Sequence, residues 1–159
     1  MLDRMVIKTL LGAKDMTDNY SFEVYEKIKR EERVNWKLYV DAVYKADASK
    51  KDMSAEVLSK LLGVKNQGGF RYLGKTQEPK LIILFSSGED IYWKDEIDNS
   101  LGVFMYYGDN KIPGNDLHKT KLHGNEILRY VFNLAVSDDE EVRKKIPPIL
   151  VFKKSGGRD

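Results

Sequence analysis

The residues best equipped for chemistry crowd into "FMYYGDNKIPGNDLH", Phe104 to His118. A strand-like run with three aromatic rings breaks there into a loop that holds Gly108, Asp109, Asn110, Lys111, Pro113, Gly114 and Asn115. Rings offer flat faces for stacking, Asp109 accepts hydrogen bonds, Asn110 both donates and accepts, and Lys111 supplies a positive charge. The bland alternative is a polar turn after an aromatic strand. Side chains alternate along "VFMYY", so at most one of Tyr106 and Tyr107 faces any given pocket.

Two further stretches carry similar chemistry. In "NQGGFRYLG", Asn66 to Gly74, adjacent glycines let the backbone approach a partner while Asn66, Gln67 and Arg71 offer donors. The spacing matches neither the Walker loop nor the dinucleotide fingerprint, and a plain hairpin or helix-to-strand connection explains it as well. "SSGEDIYWKDEIDNSLG", Ser86 to Gly102, sets acids around Tyr92 and Trp93. Its ordinary reading is a long, solvated hairpin loop with an aromatic lid over the core.

A metal-dependent hydrolase is the competing chemistry. Asp90, Asp95, Asp98, Asp109 and Asp116 are oxygen donors in number enough for magnesium, with His118 or His123 as a base. Their spacing fits no nuclease signature. Glu78 and Lys80 supply an acid-x-lysine pair only in isolation, with Pro79 between them, and the histidines of "HKTKLHGN" lack acidic or cysteine partners. Neither a catalytic residue nor a metal or other cofactor is therefore expected.

Composition sets the frame that must position these stretches. A chain of 159 residues, 42% hydrophobic and 33% charged, reads as a single globular domain spanning 1–159. The longest apolar run, Leu81 to Phe85, is far short of the roughly 20 residues of a membrane span, and no signal-peptide core is seen, so the cytoplasm is the expected compartment. The absence of cysteine excludes disulfides, thiolate zinc sites and cysteine nucleophiles. With 27 basic against 25 acidic residues, any nucleic-acid binding needs positive charge gathered on one face.

Periodicity predicts a helix over Phe22–Arg33, strand alternation in "VNWKLYVDAVYK", and a short helix from Ser54 stopped by Gly63. Met1 to Asn19 reads equally as a strand, a short helix or a loose segment. Strands follow in "KLIILFSSGED" and "VFMYYGD", a helix over Gly124–Val136 with one apolar face, and a short helix begun at Ser137 and ended by Pro147 and Pro148. "ILVFKK" supplies a late strand. Strands and helices mix without regular alternation, which predicts an α+β domain on an antiparallel or barrel-like sheet.

In combination, "VDAVY", "NQGGFRYLG", "LFSSGEDIYWKDEID", "GVFMYYGDNKIPGNDLHKT", the Gly124–Asn125 pair and "PPILVFKK" are more specific than any one alone. In this order the chain resembles the N-terminal recognition domain of modification-dependent restriction endonucleases of the AspBHI type, similar in turn to MspJI-type enzymes. The resemblance runs from about Leu38 to Asp159 and does not cover residues 1–33. It implies a fold like the SET-and-RING-associated domain: a curved, barrel-like, mostly antiparallel sheet flanked by helices. It also implies double-stranded DNA as partner and a modified cytosine, 5-methylcytosine, swung out of the stack into a pocket. The nuclease domain of such parents is expected to lie outside this chain, which ends at "SGGRD" about where relatives are expected to run on into another strand. A flipped cytosine needs a stacking surface and an acceptor for its N4 amino group. Trp93, Tyr106 and Tyr107 are the stacking candidates, Asp109 the N4 acceptor, and Asn110 a reader of the O2 or N3 edge or a loop-holding residue. Arg71 and Lys111 are candidates for phosphate, and Asn66 or Gln67 for the gap left in the duplex or for the orphan guanine. A groove-reading binder of unmodified DNA stays open beside this, as does the hydrolase.

Overall fold

The computed structural model describes residues 5–8, 21–23, 38, 43–45, 57–64, 68–108 and 113–154. The chain divides into two compact units, one of residues 1–10 with 67–159 and one of residues 11–66.

The larger unit is built on two three-stranded sheets. In the first, β4 (Phe70–Lys75) pairs antiparallel with β5 (Glu78–Ser86), and β5 pairs parallel with β8 (Ile149–Lys153). Val/Ile/Leu-rich central strands are covered on both faces, and Ile82, Ile83 and Leu84 are accordingly all buried. The second sheet runs in the order β1 (Met5–Lys8), β7 (Val103–Tyr106), β6 (Glu96–Asp98), all antiparallel. One core joins them: Phe70, Ile82 and Leu84 meet Phe104 and Tyr106, and helix α2 (Gly124–Ala135) seals the cluster with Ile127, Leu128 and Val131. Those helix positions lie within one apolar stripe of a 3.6-residue period, as expected from the sequence. A short helix α3 (Glu140–Arg143) follows, and Pro147 is buried between it and β8.

In the smaller unit β2 (Ser21–Glu23) pairs parallel with β3 (Val43–Lys45). Helix α1 (Val57–Leu62) ends at Gly63, whose φ of 69° is the left-handed conformation a glycine tolerates without strain.

The α+β class stands, with three corrections. Among the described residues the strands form separate small sheets and no closed barrel, and two of the five strand pairs are parallel. Phe22 and Glu23 lie in β2, not at the head of a helix, since β-pairing overrides a weak local helical pattern; the rest of that predicted helix is outside the described residues, as is Ser54. The helix expected from Ser137 starts at Glu140, because Asp139 caps it by accepting the Glu141 amide at 2.9 Å while Ser137 accepts from Asp139. No described helix is long and apolar enough to cross a membrane.

Candidate nucleic-acid interface

Gly108 follows the end of β7, and Leu117 is held against the first turn of α2. Beside the end of β7 stands an aromatic edge: the rings of Trp93 and Tyr107 meet edge to face, centroids 6.0 Å apart at 67°. The half-buried Asp95 fixes Tyr107 from behind, its Oδ1 accepting the Tyr107 amide at 3.1 Å. One strand position earlier the ring turns the other way. Tyr106 is buried in the core beside Phe104, centroids 5.8 Å apart, so strand alternation sends Tyr106 inward and leaves Tyr107 at the edge.

The acidic stretch 86–102 is organised by its carboxylates. Asp90 Oδ1 accepts the amides of Tyr92 and Trp93 at 3.2 and 3.0 Å. Asp98 Oδ1 accepts from the Ser100 hydroxyl and amide and from the Leu101 amide, and these bonds, the hydroxyl foremost, hold its carboxyl below the usual 3.8. Asp116 is likewise lowered, chiefly by the His118 amide it accepts at 2.9 Å. Carboxylates that accept backbone amides two and three residues on are Asx turns. Among the described residues no three of His, Asp and Glu gather as metal ligands would. The expected aromatic lid is not formed by Tyr92, which is 87% exposed with Ile91 at the tip of the Asp90 turn.

Arg71 differs from expectation. It is 4% exposed, its Nε donates to the Gly68 carbonyl at 3.1 Å, and its guanidinium stands 5.3 Å from the Phe85 ring centroid. Both faces of this sheet are covered, so a charged side chain on β4 is drawn into stacking and backbone bonding. Opposite it, Gly69 passes so close to β5 that a Cβ there would sit 3.0 Å from the Phe85 carbonyl oxygen. Asn66, Gln67, Asp109, Asn110 and Lys111 lie outside the described residues.

One residue at the site was visible in the sequence only as half of the Gly124–Asn125 pair, with no role attached. Asn125, in the first turn of α2, is 7% exposed and donates through Nδ2 to the Leu117 carbonyl at 2.7 Å. At the other end of the loop, Gly108 has φ 83°, and a Cβ on it would collide with Asn125 Oδ1. A shallow depression lined by Thr76, Gln77, Glu126, Arg129, Tyr130 and Asn133 forms at the turn end of the β4–β5 hairpin and includes none of the predicted residues.

The described part of the site is thus an α+β scaffold that presents an aromatic edge, with Leu117 held by Asn125. The chain belongs to the restriction endonuclease AspBHI N-terminal family, which matches residues 38–159. It is similar to the DNA recognition domain of the cytosine modification-dependent restriction endonuclease LpnPI, at 38% identity and TM-score 0.70 over 89% of this chain and 59% of that one. It is similar also to the DNA modification-dependent restriction endonuclease AspBHI, at 38% identity and TM-score 0.72 over 86% of this chain and 33% of that one. The chain thus spans about three fifths and one third of these two relatives, and the matched family is the N-terminal domain, not the nuclease domain. No curated protein matches.

Proposed function

We propose that this chain is the DNA-recognition module of a modification-dependent restriction endonuclease and reads 5-methylcytosine in duplex DNA by flipping it out of the stack. The observation that carries the reading is the Trp93–Tyr107 pair at the root of the 108–117 loop, because a flipped base must regain a stacking surface beside groups that read its edge. Tyr107 and Trp93 supply that surface. Asp109 accepts from the N4 amino group, Asn110 reads the O2 or N3 edge, and Lys111 meets a phosphate. Asn66 or Gln67 fills the vacated position, and Arg71 serves them from within by bracing the Gly68–Gly69 turn that follows. Tyr106 supports the strand from the core. Cleavage belongs to a nuclease domain of the parent protein, acting in the cytoplasm.

The test is a fluorescence-anisotropy titration against one duplex sequence carrying cytosine, 5-methylcytosine or 5-hydroxymethylcytosine. Tighter binding to a modified duplex is expected. Equal affinity for all three would favour a groove reader of unmodified DNA, and no binding to any duplex would end the DNA reading.

A further inference from the structure

We infer that the depression between the β4–β5 turn and helix α2 is a second DNA contact, a seat for a backbone phosphate several base pairs from the base being read. The inference rests on reading the chain as a DNA-recognition module. Thr76 and Gln77 reach the depression from the turn, and Glu126, Arg129, Tyr130 and Asn133 from the helix. The helical period explains the second set. Those four stand at i, i+3, i+4 and i+7, a polar stripe beside the apolar one of Ile127, Leu128 and Val131 that faces the core.

The lining holds donors whose bonds are unspent. Among the described residues the side chains of Thr76, Gln77, Arg129, Tyr130 and Asn133 make no hydrogen bond or ion pair. A phosphate oxygen only accepts, and arginine, threonine, tyrosine and the primary amides are the side chains that donate to it along a DNA backbone. The guanidinium adds a planar fork that matches two phosphate oxygens at once.

The surrounding charge has the right sign. Lys80 is exposed, and strand alternation puts it on the same face of β5 as Ile82 and Leu84, the face that α2 covers. Lys75, also exposed, ends β4 beside Thr76, with Glu78 across from it in register. Glu126 is the one acid in the lining, and its Oε2 is already engaged by His123 Nδ1 at 2.9 Å.

The spacing suits one duplex. At the head of β4, a Cβ on Gly69 would stand 3.9 Å from the Tyr106 hydroxyl, so this end of the strand lies beside the strand that leads to the aromatic edge. Thr76 lies one strand length away, roughly 20 Å at about 3.3 Å per residue. That is the rise of about six base pairs.

Anisotropy titrations of Arg129→Ala over a series of salt concentrations test the seat. The slope of log affinity against log salt is expected to fall by about 0.9, the loss of one phosphate contact. Methylated and plain duplex should weaken alike, by about tenfold, because phosphate contacts carry no sequence information. Gln77→Ala removes an uncharged donor, so affinity should fall about two- to tenfold with the slope unchanged, which a mere change of field would not do. On a duplex trimmed to about four base pairs either side of the modified base, Arg129→Ala should match the parent. Lys145→Ala, an exposed lysine outside the lining, should change neither slope nor affinity. Arg129 and Gln77 are exposed, so both variants should melt within a few degrees of the parent; Arg129→Gln replaces any that does not. An unchanged slope in Arg129→Ala, an equal loss on the trimmed duplex, a loss confined to methylated duplex, or the same loss in Lys145→Ala overturns the inference. If the parent binds duplexes without distinguishing them, the modified-base reading fails and the Arg129 slope still decides the seat. If it binds none, both fall.

Discussion

Trp93→Ala is the sharpest probe of the aromatic edge, because the structure separates what the indole does from what its backbone does. The Trp93 amide is held by Asp90, and the Tyr107 amide by Asp95, so truncating the ring leaves both backbone bonds in place. In the free protein the loss is the edge-to-face pair at 6.0 Å. Such pairs contribute about 0.5 to 1.5 kcal/mol, and half-buried rings belong at the lower end. For a chain of this size that lowers the melting temperature by roughly 1 to 4 °C. If the indole also stacks on a flipped base, binding to the methylated duplex loses about 1 to 3 kcal/mol more. That corresponds to roughly 5- to 150-fold in Kd. Plain duplex, held through its phosphates with the base still stacked, should change by less than about twofold. Tyr107→Ala and the double variant complete a cycle: rings that grip one base lose less together than the sum of their separate losses. Anisotropy titrations at one salt concentration and a melting curve for each variant supply all the numbers. Equal losses on methylated and plain duplex, or loss of stability alone, would remove the aromatic edge from base recognition.

Arg71→Ala should destabilise by about 0.5 to 2 kcal/mol, seen as a lower melting temperature, since it removes the buried guanidinium from the Phe85 ring and from the Gly68 carbonyl; binding to every duplex should weaken alongside. Asp109→Ala should cost roughly ten- to a hundredfold on methylated duplex by leaving the N4 donor unpaired, with plain duplex unchanged or slightly tighter in the same titration. Asp98 and Asp116 have folded pKa values below the ordinary 3.8, so their turn contacts stabilise fully above that pH and are lost as the pH falls through the lowered values. Amide chemical shifts of Ser100 and His118 should therefore hold steady down to about pH 4 and move only in stronger acid. Purified chain with magnesium should leave methylated plasmid intact on a gel; nicking that disappears in Asp95→Ala would instead support the hydrolase reading.

Long periodic segments were legible in the sequence. Helix α2 ends within one residue of its predicted boundary, and β5 and β8 coincide with apolar runs, because burial of a continuous face dominates local preference there. Strand β6 left no such mark: Glu96, Ile97 and Asp98 are all exposed, so pairing to β7 alone makes them a strand. The β4 register shift at Leu73/Gly74 likewise disguises a strand as a connection. At the candidate site the aromatic and loop residues were visible by type, but their roles depended on partners distant in sequence. Asp95 and Tyr107 are twelve residues apart, and Asn125 reaches back eight to Leu117. Three of the carboxylates that suggested a metal site, Asp90, Asp98 and Asp116, serve as Asx caps, a role their two- and three-residue offsets permit but do not demand. The burial of Arg71 was not legible, because charge usually means surface.

Among the described residues β6 has a hydrogen-bonded neighbour on one side only. Its outward edge is a template on which a second chain's strand could grow, and Ile97 at its centre is 40% exposed. The flanking Glu96 and Asp98 make that growth self-defeating: two copies meeting edge to edge would bring like charges into register, a repulsion that lasts as long as the carboxylates are ionised. The same acids give the stretch 86–102 five negative charges against one lysine, the sign that phosphate repels. That edge is therefore a poor template for a second copy of the chain and a poor seat for a phosphate backbone while its carboxylates stay ionised.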